Sequence, residues 1–432
     1  MQAVLHEQSS SVPLPKFDLF GVPPTQTMIE RDIVTEHRPI TTLDPSSFIQ
    51  FEIPTSIDEY IDLEKIYFYL KIKVKKIDSV NAEADWDDIS PVNYLLHSMI
   101  KQLDIFIGDK QITSSSSTYA FKAYIEALFG FSEEAKKSHL TSALWFDDTV
   151  LKVEGPLKDR NDAIKNYAIC DLYGRLHTDL AFQGRSLLGG SKLIVRILLN
   201  EPNFYMMSHD HTPELEFLDA SLHVHRAKVP QMIVEAHNAA LQISTAKYPF
   251  TMSKVKSFTI PKGVSDANID NLHSGQLPRR IFVFFVLNDA FCGKYIMNPF
   301  KFEHFNINSL VVHMDGVQYP SKPYTPDFTN GIYQREMVSL YEALDMIDGE
   351  PNIKFNRDNF KTGNVIFGFN FSPDLTSGVG AIGHLSPIRY GSLRLSVRFS
   401  TALLLPITCL VYCEFDKMLE IDINRQAHID MI

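Results

Sequence analysis

The chain has 432 residues, enough for two large all-β domains or three smaller ones, and its 45% hydrophobic content supports sizeable cores. A net charge of −11 and a pI near 5.7 argue against a broad basic face that packages nucleic acid. Four scattered cysteines, Cys170, Cys292, Cys409 and Cys413, form no CxxC pair, which argues against a zinc knuckle and for reduced, buried thiols.

Residues 1–45 differ from the rest. They hold Ser9-Ser10-Ser11, the prolines Pro13, Pro15, Pro23 and Pro24, and a charged patch from Glu30 to Arg38. Little periodicity is visible, so an extended arm that orders only against something else, or a solvated tail, is expected. The start, Met1-Gln-Ala-Val-Leu-His-Glu-Gln, has neither the basic nor the apolar region of a secretory signal. No run of apolar residues is long enough to span a membrane.

From Phe48 the pattern becomes β. After Ser47–Ile53, the segment Tyr67–Lys75 places Phe68, Leu70, Ile72 and Val74 on one face and Tyr67, Tyr69, Lys71, Lys73 and Lys75 on the other. Leu103–Ile107 reads as a strand ending at the turn Gly108-Asp109. A helix is expected over Tyr119–Phe129, with Ala120, Ala123, Tyr124, Ala127 and Leu128 at helical spacing and Gly130 as its stop. Residues 131–165, charged and mixed, read as a surface excursion. Strands resume at Lys192–Leu199 and Glu216–His225.

The second half brings further strands at Tyr248–Ile260, Arg280–Leu287, Leu310–Met314, Asn364–Phe371, Ser392–Phe399 and Thr408–Phe415. Asp315-Gly316 signals a hairpin. The continuous apolar run Arg280–Leu287 suits a strand covered on both faces. The halves share an order: Asn93–Thr113 and Asn306–Ser321 each give strand, Gly/Asp turn and strand, and Ser191–Leu199 parallels Gly391–Phe399. The expected fold is all-β: two tandem eight-stranded jelly-roll sandwiches, 46–237 and 238–432, with a short helical insertion and an extended N-terminal arm, 1–45.

Candidate chemistry is sparse. Gly378-Val-Gly-Ala-Ile-Gly383 matches GxGxxG, but Ser372-Pro373-Asp374 precedes it and Pro387 follows, so a loop is expected instead of a dinucleotide site. His209 and His211, and His223 and His225, are i, i+2 pairs that could face one side of a strand and share a metal. His209-Asp-His211 with Glu216 resembles the cupin metal motif, yet Asn203 and His223 stand where its glycines belong, so surface or interface histidines are the better reading. No GxSxG, P-loop or HExxH occurs. Catalytic, cofactor-binding and metal residues are therefore expected to be none.

Longer patterns carry a family resemblance. Pro91–Gly108, Ser117–Phe129 followed by Ser138–Asp148, Asn298–Asn308, Met314–Pro323 and Gly391–Phe399 resemble the capsid proteins of Polinton (Maverick) transposons and related adintovirus- and virophage-like elements. The resemblance implies a double jelly-roll major capsid protein, not an enzyme. It also implies homotrimers of pseudo-hexagonal outline that tile an icosahedral shell around a DNA genome. Expected partners are neighbouring capsomers and a minor (penton) capsid protein, with no sequence-specific nucleic acid and no membrane span. The expected location is the virion, after assembly inside a host cell. The alternatives are a minor capsid protein, a cupin-like metal-binding jelly roll, or a receptor- or sugar-binding sandwich.

Overall fold

The computed structural model describes residues 8, 15–44, 47–78, 86–114, 116–148, 154–373, 375 and 385–430. The first half contributes β1 (Arg31–His37), β2 (Ile49–Ile53), β3 (Glu59–Asp78), β4 (Ser90–Pro91), β5 (Ile100–Ile107), β6 (Lys110–Gln111), β7 (Cys170–Arg175), β8 (Leu193–Leu199), β9 (Met206–Met207) and β10 (Thr212–Lys228). They form antiparallel sheets ordered β1-β10-β3-β7 and β2-β8-β5-β6, plus a ribbon of β4 and β9.

The second half contributes β11 (Ala246–Ile260), β12 (Asp266–Gln276), β13 (Arg280–Leu287), β14 (Ile307–Met314), β15 (Val317–Tyr324), β16 (Ile366–Asn370), β17 (Tyr390–Phe399), β18 (Ile407–Ile421) and β19 (Ala427–Asp430). Its sheets run β11-β18-β13-β16 and β12-β17-β14-β15, with β19 added to β18. Setting aside β4, β9 and β19, both halves take the same order: first-eighth-third-sixth in one sheet, second-seventh-fourth-fifth in the other. That permutation is the eight-stranded jelly roll, present twice.

The alternation works as the sequence predicts. Phe68, Leu70, Ile72 and Val74 of β3 are buried, and Tyr67, Tyr69, Lys71 and Lys73 are half-exposed. Asp315 and Gly316 both have positive φ, 49° and 83°, and close the β14–β15 hairpin at the pair Met314–Val317. The corresponding hairpin of the first sandwich turns at Gly108, φ 59°, and pairs Ile107 with Lys110. Both apolar strands β13 and β18 have two buried faces. Phe285 packs on Phe399 of the opposing sheet, while Phe282 points outward onto Phe129.

Helices are more extensive than the single short insertion expected. The connection from β6 to β7 holds α2 (Tyr119–Gly130), α3 (Glu133–Lys137) and α4 (Glu154–Asp162), and α1 (Leu95–Ser98) precedes β5. After α5 (Pro202–Tyr205), α6 (Gln231–Leu241) joins the two sandwiches, and the expected boundary at residue 237 falls inside it. In the second half, α7 (Asn288–Cys292) follows β13, and α8 (Gln334–Leu344) lies between β15 and β16, the same connection that carries α2. In each sandwich a glycine lets helical chain approach the strand after that connection. A Cβ on Gly368 would sit 2.8 Å from Ala343 Cβ, and one on Gly174 would sit 2.8 Å from Leu96 Cδ2.

Three expectations need correction. The arm does not extend to residue 45, because Arg31–His37 pairs with β10 as the first strand of the first sandwich. Ile33, Thr35 and His37 turn toward the sandwich on that edge strand, which masked its short alternation among charges. Residues 131–165 are not simply a surface excursion. Leu140, Trp145, Ile164 and Arg160 are buried there, and Arg160 is held by Pro91 O and Asp148 Oδ1, each at 2.9 Å. Finally, Cys292 is exposed, whereas Cys170, Cys409 and Cys413 are buried with no disulfide among them.

Candidate functional site

The histidines singled out in the sequence do not converge. His209 lies in an exposed turn capped by Asp88, which accepts from the backbone N–H of His209 and Asp210 and from Ser208 Oγ at 2.6 Å. Burial pushes the Asp88 carboxyl up, but those three hydrogen bonds outweigh it and hold the group below its ordinary range. His211 is buried beside that turn, and Glu216 instead pairs with Lys73 at 3.3 Å. His223 and His225 do share the outer face of β10, but as parts of a ring surface. His223 lies on Tyr69 and Tyr173, and His225 Nδ1 meets Asp32 at 3.0 Å. Among the described residues no group of three His, Cys, Asp or Glu side chains is placed to hold a metal ion. The GxGxxG segment Gly378–Gly383 lies outside the described residues.

An open groove of about 700 Å³ runs beside β14 and β15, lined by Met314, Val317, Tyr319, Phe371, Arg389 and Tyr390. Among its described lining residues the one carboxylate, Asp315, accepts from Ser392 N at 2.7 Å and so serves the neighbouring strand. Among the described residues no nucleophile with an adjacent base lines it.

What the chain builds with care is the seam between its sandwiches. Helix α2 lies there because nearly every side, not one stripe, is apolar, so it needs cover all round. Tyr124 stacks on Phe300 with ring centroids 4.3 Å apart and planes 3° from parallel, and it also faces Trp145. Phe121 meets Phe291 and Phe300, and Phe129 meets Phe282. Such pairs each add about 0.5–1.5 kcal/mol beyond their buried area.

Polar bonds thread the same seam. Lys122 and Glu126 sit one helical turn apart on α2, with side chains 13% and 10% exposed. Lys122 Nζ lies 2.6 Å from Asp179 Oδ1, and that oxygen also accepts from Ser253 N on β11 at 3.0 Å. Glu126 Oε1 accepts from Ser253 Oγ at 2.7 Å and from the Tyr412 hydroxyl of β18 at 3.4 Å. Burial opposes charge on both α2 groups. The Asp179 and Glu126 carboxylates nevertheless hold Lys122 above its ordinary pKa, and Lys122 with hydrogen bonds holds Glu126 below its own. Further along, Lys136 Nζ donates to Asn352 O, Asn352 Nδ2 donates to Phe129 O at 2.8 Å, and Lys354 pairs with Glu133 at 3.1 Å. At the far end Arg425 Nε donates to Gly189 O at 2.9 Å and Tyr248 OH accepts from Leu188 N at 3.1 Å.

Of these seam residues the sequence marked Tyr124, on the apolar face of the expected helix, but none of the polar ones. The available signal was Lys122 and Glu126 at i, i+4 inside an otherwise apolar helix, a spacing that aims both at one buried partner. A second buried cluster stiffens the second sandwich: Glu414 takes Arg280 Nε and Nη2 at 2.8 and 3.0 Å and Arg279 Nη2 at 3.1 Å.

Outward, the N-terminal segment carries a run of exposed apolar side chains. Phe17, Leu19, Phe20 and Val22 are 71–96% exposed. No described helix is long and apolar enough to cross a membrane.

Two jelly rolls of one strand order, fused through a packed seam, make this a double jelly-roll protein. Solved structures share that architecture. A chain of the Sputnik virophage matches with a TM-score of 0.66 at 12% identity, over 98% of this chain and 93% of that one. The Faustovirus major capsid protein matches at 0.59 and 8%, over 94% and 92%. The mavirus major capsid protein matches at 0.54 and 9%, over 100% and 97%. By sequence, an uncharacterised protein of Caenorhabditis elegans is 24% identical over 429 residues, 95% of this chain and all of that one. No family model matches.

Proposed function

We propose that this chain is a structural coat subunit: a homotrimeric capsomer that tiles an icosahedral shell around a DNA genome, assembled inside a host cell. The observation that carries the reading is the end-to-end match, both sandwiches together, to a virophage chain and to two major capsid proteins. Three such chains around one axis would present six similar sandwiches, a near-hexagonal tile. The seam supports the role, since a tile must keep its two sandwiches in fixed register. The exposed apolar N-terminal segment suits a tie to an adjacent capsomer or to a penton protein, with its ordering entropy recovered on assembly. A duplicated sandwich favours the major coat role over the penton role. The acidic balance fits a coat that encloses its genome without reading sequence. Catalysis is no part of this proposal.

Sedimentation of the purified chain tests the trimer. The expected species has about three times the mass of the 49.2 kDa chain. A monomer at micromolar concentration that stays monomeric on crowding or salt change would overturn it. Stoichiometric metal in the purified protein would favour the cupin-like alternative.

A further inference from the structure

The seam contains two histidines that holding the sandwiches together does not require. His97 on α1 and His177 just after β7 are both buried, with ring centroids 4.8 Å apart and planes at 88°. The hydrogen bonds fix their state. Glu126 Oε2 lies 3.0 Å from His177 Nδ1, which donates to the carboxylate. His177 Nε2 then accepts from the Tyr94 hydroxyl at 2.8 Å. The Tyr119 hydroxyl accepts from His177 N at 3.1 Å, which leaves its own proton for His97 Nδ1, also at 3.1 Å. His97 Nε2 carries the remaining proton and meets no partner. Both rings are thus neutral in a network whose acceptors are already used.

A second proton on either ring has nowhere to go. On His177 it would point at the Tyr94 hydroxyl proton, and on His97 at the Tyr119 hydroxyl proton. The surroundings are counted readily. From α2 come Tyr119, Lys122 and Glu126, from α1 and its cap His97 and Tyr94, and from the end of β7 Arg175. Asp179 follows from the next turn and is engaged by Lys122. Ser253 and Tyr412 come from the second sandwich and share the Glu126 carboxylate. His139 stands on the far side of the Phe131 ring. Burial, Arg175 and Lys122 oppose protonation of His177 and outweigh Glu126, so its pKa lies below the ordinary value; burial and His177 hold His97 well below it.

We propose that His97 and His177 form an acid-release latch, in which mild acid favours an opened state, with both rings free to take a proton and α2 released from the second sandwich. The link is Glu126: one carboxylate oxygen holds His177 and the other holds Ser253 and Tyr412. Because the packed rings resist a second proton, acid draws the chain toward the state in which α2 has parted from its surroundings, and the Glu126 carboxylate then leaves β11 with the helix. In a shell, which rests on the coat reading, this is a cue for loosening in an acidic compartment. The latch itself is a property of the single chain, so its test does not depend on assembly.

The direction follows from linkage. Both folded-state values lie below that of an unfolded histidine, so the unfolded chain binds more protons. Stability is nearly intact above about pH 7 and falls as the pH drops through about 6.5, by about fivefold in the folding constant over the next unit for each histidine and approaching about tenfold per unit below that. The half-buried His37, His273 and His304 are also lowered by burial and add the same sign, so variants must be compared with the parent.

The experiment is urea unfolding of the purified chain at pH 6.5 and 5.5, for the parent and for His97→Gln with His177→Gln. The parent is expected to lose up to about thirtyfold more in folding constant over that unit than the double variant, because an unfolded histidine is already half protonated at about pH 6.5. Equal losses, within threefold, would overturn the latch while leaving the trimer untouched. Hydrogen exchange of the parent needs no variant. After correction for intrinsic rates, protection at pH 5.5 should fall first over 119–130 and 250–255, and a uniform change or none would overturn the proposal.

Discussion

Replacing Tyr124 with alanine probes the seam at its most closely stacked contact. The side chain is buried, lies parallel to Phe300 at 4.3 Å, and has Trp145 at 5.2 Å and Phe302 at 5.9 Å. Removing a large buried aromatic costs about 3–5 kcal/mol, because the site collapses only in part. Here rings from both sandwiches line the vacancy, and neither can close it without breaking the seam, so about 4 kcal/mol is expected. With m of about 3 kcal/mol/M, the urea midpoint drops by about 1.3 M. Tyr124→Phe keeps the stack and should cost about 1 kcal/mol for the lost hydroxyl. Both tryptophans, Trp86 and Trp145, lie in the first half, so their fluorescence follows that sandwich while far-ultraviolet dichroism follows both. The two signals should coincide in the parent and separate in Tyr124→Ala. A loss under about 1 kcal/mol with coincident curves would refute the idea that the seam couples the sandwiches.

Other perturbations test separate parts of the account. Glu414→Gln leaves Arg279 and Arg280 short of a buried counter-charge and should cost about 3–5 kcal/mol by denaturant unfolding. Gly368→Val drives side-chain atoms into Ala343 and Leu340 and should lower stability by about 1–3 kcal/mol, read as a fall in Tm. Deleting residues 1–29 should leave a folded chain but impair particle formation, whereas deletion through residue 37 also strips β1 and should lower Tm. A maleimide should label Cys292 rapidly at pH 7. Burial pushes Cys170 up to about 11 and Cys413 up to about 12, and raises Cys409 as well, so a second fast thiol would contradict the packing.

Much of the fold was legible because burial leaves a period in the sequence. The strands β8, β11, β13 and β17 were legible nearly in place and β3 and β18 over about half their length, and the paired hairpins at Gly108-Asp109 and Asp315-Gly316 exposed the duplication. What stayed hidden has physical causes. Edge strands β1 and β12 bury one face weakly, so Arg31–His37 and Asp266–Gln276 show charges and amides where a central strand shows Val or Phe. Helix α8 does space Met337, Leu340, Tyr341 and Leu344 helically, but a reading that expected only strands in the second half passed over it. The seam was hidden for another reason. Lys122, Glu126, His177, Asp179 and Ser253 are far apart in sequence, and their meeting is decided by how the sandwiches pack.

Electron microscopy of particles formed by the expressed chain tests the central claim most directly. The coat reading expects trimeric tiles of six-lobed outline closing into an icosahedral shell, with both sandwiches of each chain upright in the tile. Dispersed two-lobed monomers under every assembly condition, or a stable complex of some other symmetry that builds no shell, would contradict it.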